Sequence, residues 1–330
     1  MELLWLAVST IAIGVFGCVA WFWGSNWLLD RIYPAKGEKA GDNIRRAGQI
    51  RPWLFLGPAI LFLGMYLVYP VFDSLWRSLF NSDGSQFVGV DNYVWLMGDA
   101  KFRESMLNNM LWLLVVPALA TLFGLLAAQL TDRLKWGNIG KSLIFMPMAI
   151  SFVGAGVIWK FIYEYRASGE TQIGLLNWIV TQFGGEPQIW LTLPGWNNFF
   201  LMIVLVWIQT GFAMVILSAA LRGIPEETIE AAVLDGASPL QVFFKIKVPQ
   251  IMGTIVVVWT TITLVVLKIF DIVFAMTNGQ WETQVLANYM YDKLFRANDW
   301  GVGSASAIVI MLLVTPILVW NVYNARKEMR

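Results

Sequence analysis

The sequence predicts an all-α protein, a polytopic bundle of seven membrane-spanning helices. Three observations carry that prediction. Apolar residues make up 58% of the chain and charged residues 14%, far more apolar surface than a soluble fold of this length displays. Apolar runs of about 20 residues recur along the chain, the length at which a helix crosses the hydrocarbon core. The runs are continuous and do not alternate, so barrel strands are excluded, and helices satisfy their own backbone groups in lipid.

The first run covers residues 3–24. Glu2 precedes it where a cleaved leader would place a basic residue, and the run continues past Cys18 through Val19, Ala20, Trp21, Phe22 and Trp23. It therefore reads as a retained spanning helix. Residues 25–52 are polar and basic with Gly and Pro punctuation and read as a linker. Further runs follow at 53–76, 106–130, 142–163, 198–221, 250–276 and 304–324.

Lys and Arg set the orientation. Segments 25–52, 131–141, 222–249 and 325–330 hold fifteen of the 23, namely Arg31, Lys36, Lys39, Arg45, Arg46, Arg51, Arg133, Lys135, Lys141, Arg222, Lys245, Lys247, Arg326, Lys327 and Arg330. The alternate segments hold only Arg77, Lys101, Arg103, Arg166, Lys293 and Arg296. By the positive-inside rule the N-terminus is expected outside and the C-terminus inside. The outer loops "FVGVDNYVWLMGDAKF" and "IWLTLPGWNNFF" are aromatic, and an interfacial belt is the simpler reading of them than sugar stacking.

Several functional classes fall away. A net charge of +1 offers no basic face for nucleic acid. One cysteine, Cys18, allows no internal disulfide, and the absence of His removes the commonest metal ligand and general base. The run Gly140-Lys141-Ser142 lacks the Gly five positions earlier that a phosphate loop requires; Lys135 stands there and no buried strand leads into it. It is a short basic turn before a helix.

Segment 222–249 differs from a simple loop. Pro225 at a first helical position with Glu226 and Glu227 in the first turn starts a helix. That helix runs through Ile229, Ala231, Ala232 and Leu234 to Gly236, a residue suited to a helix stop. Ser238 then offers an N-cap and Pro239 a second start, so a second helix is expected from Leu240 to Val248, stopping ahead of Pro249. Its Leu240, Val242, Phe243, Phe244, Ile246 and Val248 must be covered, either under the bundle or in a partner's groove.

Glu230-Ala231-Ala232, Gly236, Ile246 and Pro249 resemble the E-A-A…G…I-x-L-P loop in the membrane subunits of binding-protein-dependent ABC importers. Asp235-Gly236-Ala237 after Ile224-Pro225 is similar to the sugar-importing branch, including the larger maltose-system permease and α-glucoside permeases. "FVGVDNYVWL" and "KIFDIVFAMTNG" resemble two further segments of that branch, so the likeness covers about residues 53–325. Val248 departs from the motif's Leu, and Gly253 from a Pro often found there.

The resemblance implies a six-helix importer domain over 53–330, with residues 1–52 as an added spanning helix and linker. It implies that Glu230, Ala231, Ala232, Asp235, Gly236 and Ala237 form a docking turn for a separate ATPase dimer, with Gly236 letting the two helices meet closely. It further implies a second homologous permease, an extracytoplasmic binding protein, a bacterial inner-membrane location, and no cofactor in this chain, ATP and Mg belonging to the ATPase. "WIQTGFAM" resembles a sugar-contacting stretch, which points to Gln209, Thr210, Gly211 and Met214 as a substrate path. On the following run Val266 and Ile269 replace the Asn residues of the maltose-system relative. Lys268 and Asp271, three apart, are expected on one helix face, either lining that path or forming a structural, partly solvated pair. The rival reading is a secondary transporter, which calls for broken helices or ion-coupling groups repeated between two halves.

Overall fold

The computed structural model describes residues 2–328 except Glu38 and Arg133. Arg133 and Arg330, two of the basic residues used for orientation, lie outside the described residues. Helix dominates, and among the described residues the only strand pairing is an isolated bridge between Phe80 and Phe87. Two compact units divide the chain, Met1–Asp73 and Ser74–Arg330.

The first unit holds α1 (Glu2–Ile32) and most of α2 (Ala40–Arg77), whose last turn lies past the unit's end at Asp73. Most of the described part of segment 25–52, read as a linker, is helix, for a local reason. Residues 25–32 contain neither Gly nor Pro, so nothing stops α1 before Pro34. The middle of α2 is then tied back to α1: Arg51 pairs with Asp30 at 2.5 Å, Trp21 Nε1 donates to the carbonyl of Leu54 at 3.0 Å, and Phe22 stacks on Phe55.

The second unit contains α3 (Asp91–Gly98), α4 (Ala100–Thr131), α5 (Gly137–Phe145), α6 (Phe152–Ile162), α7 (Leu175–Gln182) and α8 (Asn197–Arg222). It continues with α9 (Glu226–Leu234), α10 (Pro239–Gln250), α11 (Met252–Leu267), α12 (Asp271–Met276), α13 (Leu286–Tyr291) and α14 (Trp300–Glu328). Five of the described helices, α1, α2, α4, α8 and α14, are long and apolar enough to cross a membrane. The count reaches seven if the bent pairs α5–α6 and α10–α11 each make one crossing.

The core forms where α4 meets α8. Along α4, Trp112, Val116, Ala120, Gly124 and Ala128 recur every fourth residue and are all buried, the spacing of a single helix face. Side-chain size falls along that stripe, which lets the backbones approach. A Cβ on Gly124 would collide with Ala213 and stand 2.8 Å from the backbone nitrogen of Met214. From α11, Val258, Ile262 and Val266 bring a matching i+4 stripe into the same core.

Two of the continuous runs are broken. The run 142–163 bends by 106° between a 3₁₀ turn at Met146–Ala149 and α6. Pro147 sits in that turn, and Ser151 caps α6 by accepting a hydrogen bond from the Gly154 N–H at 3.1 Å. The run 250–276 ends as helix at Leu267 and restarts at Asp271. Nothing in Lys268-Ile269-Phe270 breaks a helix by itself. The restart is held by packing, since a Cβ on Gly156 of α6 would stand 3.3 Å from Ala275 and Met276.

Pro249 does not stop the second hairpin helix, which continues to Gln250 and bends by 71° at Ile251. A π turn over Val242–Lys247 precedes the proline. A π turn over Gly64–Val68 precedes Pro70 in the same way. A proline ring presses on the carbonyl four residues back, which is Lys245 in one case and Tyr66 in the other, both inside the widened turn.

Candidate functional site

The hairpin between α8 and α11 is built from local signals that all agree. Pro225 precedes α9, and Glu226 and Glu227 occupy its first turn, where carboxylates complement the dipole. The helix closes with two reciprocal bonds, Ala237 N–H to the Ala232 carbonyl and Gly236 N–H to the Val233 carbonyl, each 3.0 Å. That is a Schellman closure, and Gly236 supplies the left-handed residue at φ 83°. Ser238 then opens α10 with a capping box: its hydroxyl accepts from the Gln241 N–H, and the Gln241 side chain accepts from the Ser238 N–H at 2.8 Å.

A Cβ on Gly236 would meet nothing within 4 Å. The glycine is therefore required by backbone conformation, and the expected close meeting of two helices at that point is not its reason. Glu230, Ala231, Asp235 and Gly236 are exposed, while Ala232 and Ala237 are half-buried.

Both ways of covering the apolar face are used. Val242 and Phe243 are buried against the bundle, and Ile229 and Val248 pack on the core. Val233, Leu234, Leu240 and Phe244 are left uncovered, Leu234 with 88% of its surface free. These four surround the Gly236 turn, an apolar tip on an otherwise polar element.

The second group of residues does not gather into one face. Gln209 is buried, and among the described residues its amide has no hydrogen-bond partner. Thr210 donates its hydroxyl to the Val206 carbonyl at 2.7 Å and borders an apolar cavity of about 670 Å³ lined with Trp159, Trp196 and Trp207. Gly211 is closed off by the backbone of α5, and Met214 lies in the core. Val266 and Ile269 are core residues as well.

Lys268 and Asp271 are not neighbours on one helix. The break between α11 and α12 places Lys268 after the end of one helix and Asp271 at the start of the next. Lys268 is exposed, Asp271 is half-buried, and they form no ion pair with each other.

One polar assembly was not singled out by sequence reasoning. Loop 277–285 holds Asn278, Trp281 and Glu282 at positive φ, a strained arrangement for non-glycine residues. Side-chain amides fix it. Asn108 Nδ2 donates to the carbonyls of Glu282 and Gln284 at 2.9 and 2.8 Å, Asn198 Nδ2 donates to that of Glu282 at 3.1 Å, and Asn197 donates to that of Trp281. The available signal was two Asn-Asn pairs, 108–109 and 197–198, at the mouths of apolar runs.

A multi-helix membrane bundle carrying a capped, apolar-tipped hairpin between two of its spans has the architecture of a transporter's membrane subunit. Residues 120–329 match the family of binding-protein-dependent transport system inner membrane components, and the chain belongs to that family. It is 65% identical over 99% of its length to the alpha-glucoside transport system permease protein AglF of Rhizobium meliloti (strain 1021), also covering 99% of that protein. It is 45% identical to the osmoprotective compounds uptake permease protein GgtC of Synechocystis, covering 84% of this chain and all of the relative. In fold it is similar to a chain of a bacterial ABC transporter involved in the import of alginate, with a TM-score of 0.74 and 19% identity over 89% of this chain and all of that one.

Proposed function

We propose that this chain forms half of the translocation path of an ATP-driven importer of α-glucosides, with residues 53–330 as the transporting part and 1–52 as an addition to it. A second homologous permease supplies the other half. An ATPase dimer, which carries ATP and Mg, seats on the hairpin, and an extracytoplasmic binding protein delivers the sugar. The excess of Lys and Arg in the hairpin segment and in the segments that alternate with it along the sequence supports a cytoplasmic hairpin, an outer N-terminus and an inner C-terminus.

The observation that carries this reading is the hairpin tip. Two capped helices hold Leu234, Leu240 and Phe244 free of their own chain beside Glu230, Ala231 and Asp235. A rigid, apolar-tipped helix pair fits a cleft on another protein, and closure of that cleft on ATP binding would tip α8 and α11 together. The α-glucoside class rests on the 65% identity to AglF. Broken spans such as α5–α6 and α11–α12 also occur in secondary transporters. Family membership and the uncovered tip favour the ATP-driven reading.

The test is reconstitution of the chain with its cognate partners in liposomes. Uptake of a labelled α-glucoside is expected to require ATP and the ATPase, and Leu234→Cys is expected to cross-link to that ATPase. Uptake by this chain alone, driven by an ion gradient, would overturn the proposal.

A further inference from the structure

At the hairpin end of α4, side chains from three helices converge on one carboxylate. Asp132, the residue following α4, is in ion-pair contact with Lys141 of α5. Ser218 of α8, only 1% exposed, lies with its hydroxyl 3.1 and 3.3 Å from the two Asp132 oxygens. Lys141 Nζ donates to the same Ser218 Oγ at 2.7 Å, and Arg222 Nη2 donates to it at 3.0 Å. A serine hydroxyl has one proton to give and two lone pairs to offer, and all are used here: it donates to Asp132 and accepts from Lys141 and Arg222.

The position of the cluster gives it a task. Arg222 is the last residue of α8, and α9 begins four residues later at Glu226. Asp132 thus holds the first foot of the hairpin. The second foot reaches the same turn of α4, where Lys247 Nζ donates to Gln129 Oε1 at 3.3 Å. Side chains of Asp132 and Lys141 are 23% and 15% exposed, whereas that of Arg222 is 63% exposed. The strong arms are therefore Lys141 and Ser218, and the Arg222 arm is screened by solvent.

We propose that Asp132 is a positioning residue for coupled transport, the pin that joins the hairpin's first foot to α4 and α5 so that a pull on the hairpin moves the three helices as one body. With the pin removed, Lys141 and Arg222 face one serine without an anion between them, and the foot is connected to the bundle through the α8 backbone and its packing. The inference rests on the hairpin being the ATPase-docking element.

The experiment uses the whole complex in liposomes and measures sugar taken up per ATP hydrolysed, with Leu234→Cys cross-linking to the ATPase followed in parallel. For Asp132→Asn the cross-link is expected to form while the uptake-to-hydrolysis ratio falls by roughly tenfold, within the usual span of coupling between sites. Asp132→Glu, which keeps the anion, is expected to recover most of the ratio. If Asp132→Asn does not assemble, Ser218→Ala decides, since it removes one arm and leaves the Asp132–Lys141 pair; a ratio lowered by about fivefold, the low end of that span, is expected. A cross-linking complex with a native ratio in Asp132→Asn, or in Ser218→Ala where that variant must decide, overturns the pin. Loss of the cross-link in the otherwise native chain overturns the docking element instead.

Discussion

Gly211 of α8 lies against the backbone of Ile144: a Cβ added at 211 would stand 2.6 Å from the Ile144 carbonyl oxygen and 2.9 Å from Cα of Phe145. Neither atom belongs to a side chain that could rotate away. The glycine thus lets α8 and the end of α5 touch backbone to backbone, immediately before the bend that breaks the fourth apolar run.

Substituting Gly211 by Ala should therefore destabilise the membrane unit, by about 1–3 kcal/mol as overpacking of a close contact. Gly57→Ala provides the contrast, because a Cβ at Gly57 in α2 meets nothing within 4 Å and alanine favours helix. Thermal unfolding of the purified, lipid-reconstituted protein checks both. The midpoint should drop for Gly211→Ala and hold or rise for Gly57→Ala.

Gly236 obeys a different constraint. Its surroundings are open and its φ is 83°, so a β-branched residue there meets backbone strain of about 1–2 kcal/mol and no clash. Gly236→Val should lower the midpoint no more than Gly211→Ala does, yet lose sugar uptake and sugar-stimulated ATP hydrolysis, because the two hairpin helices no longer meet at the set angle. Gly236→Asn should retain more of both, since Asn enters the left-handed region with less strain. Native uptake by Gly236→Val would reject the hairpin as the coupling element.

What was legible in the sequence follows from how local each signal is. The hairpin was readable because Pro225, Gly236, Ser238 and Pro239 act within four or five residues, and the structure uses Gly236 and Ser238 in the expected roles. The apolar runs were readable from composition. Breaks inside them were less so: Pro147 and Ser151 did mark the first bend, but a hydropathy window averages such residues away. The break at Lys268–Phe270 has no local mark, because it arises from α12 packing on Gly156. That break is why the three-residue spacing of Lys268 and Asp271 predicts one face that the structure does not form, and no sequence pattern announces the backbone of Ile144 against Gly211, which the resemblance puts on a substrate path.

The separation of Lys268 from Asp271 gives its own prediction. A double-mutant cycle of Lys268→Met and Asp271→Asn on the thermal midpoint should show the two changes adding to within about 0.5 kcal/mol. Coupling well above that value would mean the pair does meet, and the break between α11 and α12 would need another account.

Loop 277–285 supplies the last prediction. Trp281 and Glu282 hold left-handed φ values of 53° and 61°, a conformation that persists only where the surroundings over-determine it. Asn108 is a principal cause, with its single amide bonding the carbonyls of Glu282 and Gln284. Asn108→Leu removes both bonds, and with them the bond its Oδ1 accepts from Asn198 Nδ2 at 3.2 Å, and leaves at least the Gln284 carbonyl short of a partner, at a cost of about 1–3 kcal/mol. Asn198 and Asn197 keep their bonds to Glu282 and Trp281, so the loop should loosen without detaching. Hydrogen exchange checks this by position: amides of 277–286 should exchange faster in Asn108→Leu, while those of α9 and α10, in the hairpin, should not change. Unchanged exchange in the loop would show that Asn197 and Asn198 suffice to hold it.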